Sequence, residues 1–156
     1  MNAPSFDIAS YIEDYVSFSS SGVKVDDDVI KVDDDVITVG DGTGLTYKTD
    51  LFIGREPAKP VDCVTVFDTP GFGDDLGLTT QGYERPSIQI RVRNKGYQAG
   101  WVIAQNIKNL LHGLEHQTIN GTLYTVIYCT GSPTLLDYDD NGNVRWILNM
   151  NIQRRS

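Results

Sequence analysis

At 156 residues, with 40% hydrophobic and 22% charged side chains, the chain has the makeup of one ordinary globular domain that can bury a core without a metal or disulfide staple. Its net charge of −8 argues against a face that neutralises duplex-DNA phosphates. No run approaches the ~18–20 apolar residues of a membrane span, and Met1–Ser10 lacks the basic start and apolar run of a signal peptide, so the expectation is a protein made in a cytoplasm that stays there or joins an assembly.

In chain order, Ser5–Phe18 reads as a helix, with Ser5 as N-cap, Asp7 in the first turn and Phe6, Ala9, Ile12 and Val16 as its buried stripe. Ser17–Gly22 stops it. From Val23 the chain becomes acidic. VDDDVI occurs at Val25–Ile30 and again at Val32–Ile37, each copy preceded by lysine, which reads as a local duplication in a length-tolerant loop. Between Lys24 and Asp50 there are eight acids and three bases, net −5, against −3 for the remainder, so the acidity is concentrated there. Asp triplets and Val/Ile are poor helix formers, and the segment is expected to form hairpin or loop, an insert spanning 23–50 within a single domain 1–156. Gly40–Gly44 reads as a turn.

Tyr47–Gly54 reads as a strand, Arg55–Pro60 as a rigid connector fixed by its prolines, and Val61–Phe67 as a central strand. Asp68–Gly82 reads as a long Gly-rich loop. Pro86–Asn94 alternates cleanly, Ile88, Ile90 and Val92 facing in while Gln89, Arg91 and Arg93 face out. Tyr97–Leu114 is the strongest helix, its stripe running through Tyr97, Trp101, Ala104, Ile107, Leu111 and Leu114, widened by Ile103 and Leu110. Asn120-Gly121 marks a tight turn, Leu123–Thr130 a strand, Ser132-Pro133 a break, Asp139–Asn143 a turn, and Val144–Gln153 a closing strand. This order predicts an α+β fold: a mostly antiparallel sheet with two main helices packed on one face, plus the hairpin-like acidic insert.

Three stretches resemble chemistry. Val64–Asp74 ends a strand in Asp68-Thr69-Pro70-Gly71, as the Mg²⁺-binding Asp-x-x-Gly of a GTPase does. The phosphate loop is missing, since Lys48 in Gly40–Thr49 follows Tyr47 rather than Gly, and Asn94-Lys95-Gly96-Tyr97 lacks the Asp of the guanine-reading motif. Asp137–Gly142 matches the start of a calcium loop, but the twelfth position is Leu148 instead of Glu, so a turn held by Asp and Asn side chains is expected. The two Asp triplets read as a solvated charge run before a cation site. Cys63 and Cys129 sit in β-branched apolar runs and read as reduced core thiols, with His112 and His116 paired to neither. The expectation is no catalytic residue, no metal and no cofactor. Arg91, Arg93 and Lys95 form a basic strand face, and with Asp26, Asp27, Asp28, Asp33, Asp34 and Asp35 they are the candidate subunit-interface residues, because segregated charge suits heterologous contacts.

Beyond these, Ile53–Pro60 (an I-G-x-x-P-x-x-P connector), the step Arg91-x-Arg93 into Tyr97 and Ala99 of a long helix, and the late turn Pro133, Leu136, Asp139, Gly142 before a last strand occur in an order that resembles the phage minor capsid and tail-terminator family. The resemblance covers about 120 residues. It departs from the family pattern at Val23–Gly44, and Ala99 follows Tyr97 by two residues rather than three. It implies a structural virion protein and no enzyme: an α+β protomer in a hexameric ring at the neck, capping the tail tube, offering the head-docking surface, and letting DNA pass through its lumen without specific binding. Its implied partners are its own copies, the tail tube protein and the head–tail connector, with no membrane. A neck or head-completion connector is the alternative, ahead of a small nucleotide- or calcium-binding protein.

Overall fold

The computed structural model describes residues 1–20, 45–75 and 82–155. Helix α1 (Pro4–Ser20) opens with proline at its first position, where the missing N–H costs nothing. A short strand β1 (Leu51–Ile53) leads through the proline connector into β2 (Cys63–Asp75), which forms a long hairpin with β3 (Tyr83–Asn94). Helix α2 (Tyr97–Leu111) follows, then β4 (Leu114–Ile119), β5 (Thr122–Cys129), β6 (Thr134–Tyr138) and β7 (Val144–Arg155).

These strands make one sheet in the order β1-β2-β3-β7-β5-β4, with β6 also paired to β7. Among the described pairs, β1–β2 is parallel and the others antiparallel, so the sheet is mixed. Strands β5 and β6 lie end to end along β7, β5 against its C-terminal half and β6 against Val144–Ile147. Residues of both helices and of one sheet face form a single buried cluster: Ile8 and Ile12 from α1, Ala104, Ile107 and Leu111 from α2, and Val64, Val66, Ile88, Ile90, Val92, Leu148 and Met150 from the strands. The alternation of β7, buried at every second residue from Val144 to Arg154, is what a strand covered on one face requires.

Several boundaries differ from the sequence-based expectation, each for a local reason. The stripe of α1 is Ser5, Ile8, Ala9 and Ile12, and Phe6 is exposed. Polar anchors set this rotation: Ser5 donates from its backbone N–H (2.9 Å) and Oγ (2.6 Å) to the Asp68 carboxylate, while Asp7 is drawn inward by Tyr124. Val16 falls outside the described side chains. Helix α2 ends at Leu111 rather than Leu114, because His112 is extended and Gly113 takes φ +82°, and Leu114 pairs instead with Ile127. Strand β4 had no alternation to reveal it, since Glu115–Thr118 are all exposed. The same holds for β6, whose five residues are all exposed. Asn120 (φ +48°) and Gly121 (φ +81°) make the expected tight turn between β4 and β5.

The largest correction concerns Asp68–Gly82. The loop reading fails through Asp75, which remains strand and pairs with Tyr83, with irregularities on either side of Phe72. Glycine is used here for close approach: a Cβ on Gly71 would overlap the carbonyl oxygen of Arg85 and lie 2.8 Å from the Cα of Pro86. Gly71→Ala must therefore push β2 away from β3, and the expected cost is about 2–3 kcal/mol, read as a lowered urea midpoint. An unchanged midpoint would show that the strands separate freely at this position.

Candidate assembly surfaces

The expected interface residues have separate fates. Asp26, Asp27, Asp28, Asp33, Asp34 and Asp35, with residues 23–44 of the acidic insert, lie outside the described residues. The remainder of that insert, 45–50, turns back on β1: Leu45 is buried, the Lys48 N–H donates to the Leu51 carbonyl, and the N–H groups of Thr49, Asp50 and Leu51 donate to the Thr46 carbonyl. Lys95 is exposed at the end of β3, its N–H held by Asp62. Arg91 is half-buried on the sheet face away from the helices, with Glu56 at 3.8 Å and the Phe67 ring under its guanidinium at 5.0 Å.

Arg93 corrects the outward-facing expectation. It is only 6% exposed, and its guanidinium serves its own chain. Nε donates to the Val61 carbonyl (2.9 Å) and Nη2 to those of Pro57 (2.6 Å) and Pro60 (2.9 Å). Parallel neighbours β1 and β2 are joined by residues 54–62 with no helix, so this connector must double back beside the sheet with its carbonyls unpaired by any ladder. Arg93 supplies the donors. Lysine has no planar fork to do so.

Around Arg93 lies an ionic cluster that sequence reading did not assemble. Glu56 Oε2 is 3.8 Å from both Arg91 and Arg93 and 3.3 Å from Arg145 on β7, and Arg145 also makes a two-point contact with Asp137 on β6 at 2.6 and 3.0 Å. Burial opposes the Arg145 charge, but the Asp137 hydrogen bond and the two neighbouring carboxylates raise its pKa. The signal was present as out-facing arginines on adjacent long strands. The β3–β7 register that brings Arg91, Arg93 and Arg145 together was not.

The remaining chemistry-like residues are engaged within the fold or buried in it. Asp68, the would-be Mg²⁺ ligand, caps α1 through Ser5. Asp139 accepts from the side-chain amide of Asn143 and from the backbone N–H groups of Asn143 and Asn141, which hold its carboxyl below the usual range, and Gly142 closes the turn at φ +78°. That is the Asp/Asn turn expected at this calcium-like stretch. Both thiols are buried. Burial pushes Cys129 up to about 11 and raises Cys63 as well, despite the nearby Arg93. Neither thiol should react with iodoacetamide at pH 7.5 until the chain unfolds; modification of either in the folded state would contradict this. The folded chain holds the Cys129 proton that the unfolded chain releases. The linked stability is therefore complete below pH 9 and lost as pH rises from 9 to about 11. No helix among the described residues is long and apolar enough to cross a membrane.

Two surface features remain. At the β6 end of the sheet, Leu135, Leu136 and Tyr138 are exposed, as are Tyr97 and Trp101 on the adjoining flank of α2. Trp146 links the two groups: it is paired across the strands with Leu135, its ring meets Tyr97 edge-on at 4.9 Å, and its Nε1 donates to the Tyr97 carbonyl. At the β1 end lies an open cleft of about 420 Å³ lined by the apolar Tyr47, Phe52, Ile53, Pro57 and Ala58, the cations Lys48 and Arg55, and the Glu56 carboxylate of the ionic cluster.

No curated protein matches the chain. Among solved structures, a chain from a "Virion of native gene transfer agent (GTA) particle" superimposes with a TM-score of 0.54 at 13% identity, covering 69% of this chain and 80% of that one, which is a likeness of fold. The family described as "Bacteriophage tail terminator protein" matches residues 39–155, taking in every strand and α2, and leaving α1 outside. The chain belongs to the bacteriophage tail terminator family.

Proposed function

We propose that the protein is a single-domain tail terminator, with an insert at 23–50, whose copies close into a hexameric ring on the head-proximal end of a phage tail tube. The ring ends tube growth and presents the surface on which the head connector docks, and DNA passes through its lumen. Membership of the tail terminator family over residues 39–155 carries this reading. Its fold-level likeness to a chain of a gene transfer agent virion agrees with a place in a virion tail or neck. Before assembly the chain resides in the host cytoplasm.

The role is structural. The carboxylates that imitate a nucleotide or calcium site hold the fold together instead, and both buried thiols are kept protonated. Arg91 and Lys95 are the basic residues left to meet a neighbouring copy, opposite its acidic residues Asp26–Asp28 and Asp33–Asp35, while Arg93 is committed to its own connector.

Immunogold labelling separates this function from a head-completion role. Isolated tails lacking heads should carry label at one end. Label on heads and none on headless tails would assign the protein to head completion. The cleft and the cluster around Glu56 should bind no GTP in the presence of Mg²⁺, and measurable binding would reopen the nucleotide reading.

A further inference from the structure

The two surface features stand at opposite ends of one row across the sheet. Leu51 on β1 pairs with Val64, Val64 with Val92, Val92 with Trp146, and Trp146 with Leu135 on β6. Four inter-strand steps make this row roughly 19 Å long. One end carries exposed apolar side chains. Leu136 sits at the register irregularity of β6 and is 42% exposed, Tyr138 is 55% exposed, and the turn that follows adds the exposed Asp140. The other end carries a cleft lined by aromatic and apolar side chains and the exposed cations Lys48 and Arg55, its one carboxylate, Glu56, being set against Arg91, Arg93 and Arg145.

Exposed apolar side chains and an acid at one edge thus match an apolar cleft and two cations at the other. A surface complementary to a different surface of the same molecule makes a head-to-tail contact, which forms a ring when the rotation per copy closes. Both edges are poor templates for simple strand addition. The outward groups of Leu51 are taken by Thr46 and Lys48, and β6 is interrupted by its irregularity. Contact is therefore made by side chains, with charge fixing the register.

We propose that neighbouring copies of this chain join along the row, with the β6 edge of one copy (Leu136, Tyr138, Asp140) seated in the cleft beside β1 of the next (Tyr47, Lys48, Phe52, Arg55). The proposal rests on the ring reading above and names the surfaces that close it.

Two measurements on the full chain test it, at a concentration or on tail tubes where native mass spectrometry finds the wild type as a ring. First, Leu136→Cys combined with Ala58→Cys, treated with a short bismaleimide, should give a covalent ladder that ends at the ring size. The native thiols Cys63 and Cys129 are buried and add no background. Second, Asp140→Lys and Lys48→Glu should each weaken association about tenfold, and the double variant should recover most of the loss. This second arm keeps the test decisive even if the cysteine variant folds poorly. A wild-type ring that neither cross-links at these positions nor responds to the charge exchange would overturn the proposed contact while leaving the ring intact. A wild type that stays monomeric at every concentration and on tail tubes would remove both.

Discussion

Asp7→Ala is expected to be among the most damaging single substitutions in the chain, costing about 3–5 kcal/mol. Asp7 is fully buried, and its carboxylate is the centre of a network joining three separate parts of the fold. It accepts from the side-chain amides of Asn2 and Asn120, both at 3.0 Å, and from the Tyr124 hydroxyl at 2.7 Å, with the Arg154 guanidinium at 4.0 Å. Among the described residues, removing it leaves Arg154 with the partly exposed Glu84 as its charged partner and leaves the buried Tyr124 hydroxyl without its acceptor. Burial and the Asp7 carboxylate both raise the Tyr124 pKa, so the phenol stays protonated and donating at every ordinary pH. Tyr124→Phe removes one donor without stranding a charge, so its cost should be smaller, about 1–2 kcal/mol. Urea unfolding of the two variants measures both. Equal costs would mean that the network is held by Tyr124 packing and owes little to the carboxylate.

Arg93→Ala should cost roughly 3 kcal/mol, because several connector carbonyls lose their donors together. Arg93→Lys should recover little of it, since an ammonium cannot reach Val61, Pro57 and Pro60 from one position. The loss is also local. The connector carries Arg55, Pro57 and Ala58 of the β1 cleft, so hydrogen exchange of residues 51–62 should accelerate in Arg93→Ala more than that of α2. Uniform acceleration throughout the chain would show that Arg93 supports global stability and does not specifically hold the connector.

Much of this fold was legible in the residues, and the parts that were not share a cause. Strand β3, the body of α2 and β7 announced themselves because one face is buried and the other wet, which leaves a period of two or 3.6 in the sequence, and the Asn120-Gly121 turn did so because these residue types accept positive φ. Strands β4 and β6 carry no such imprint, being edge strands with exposed side chains. The glycines and proline of β2 mimic a loop, when Gly71 actually permits close approach of two backbones. In α1, apolar spacing pointed to Phe6, but two polar residues, Ser5 and Asp7, claimed the inward positions through partners more than 60 residues away. Long-range polar contacts of this kind have no local signature. The same limit applies to the surface: Arg91 and Arg93 look equivalent in sequence, and only the path of the proline connector distinguishes the half-exposed cation from the internal clamp.

A cryo-electron microscopy reconstruction of the virion neck would show the ring and the contact between its copies together. It should contain a closed ring of six copies at the head-proximal end of the tail tube, each fitting this mixed sheet and its two helices, with the β6 edge of one copy against the β1 cleft of the next. A neck in which this fold occurs as separate copies, in an open arrangement, or only on the head side of the connector would contradict the terminator ring.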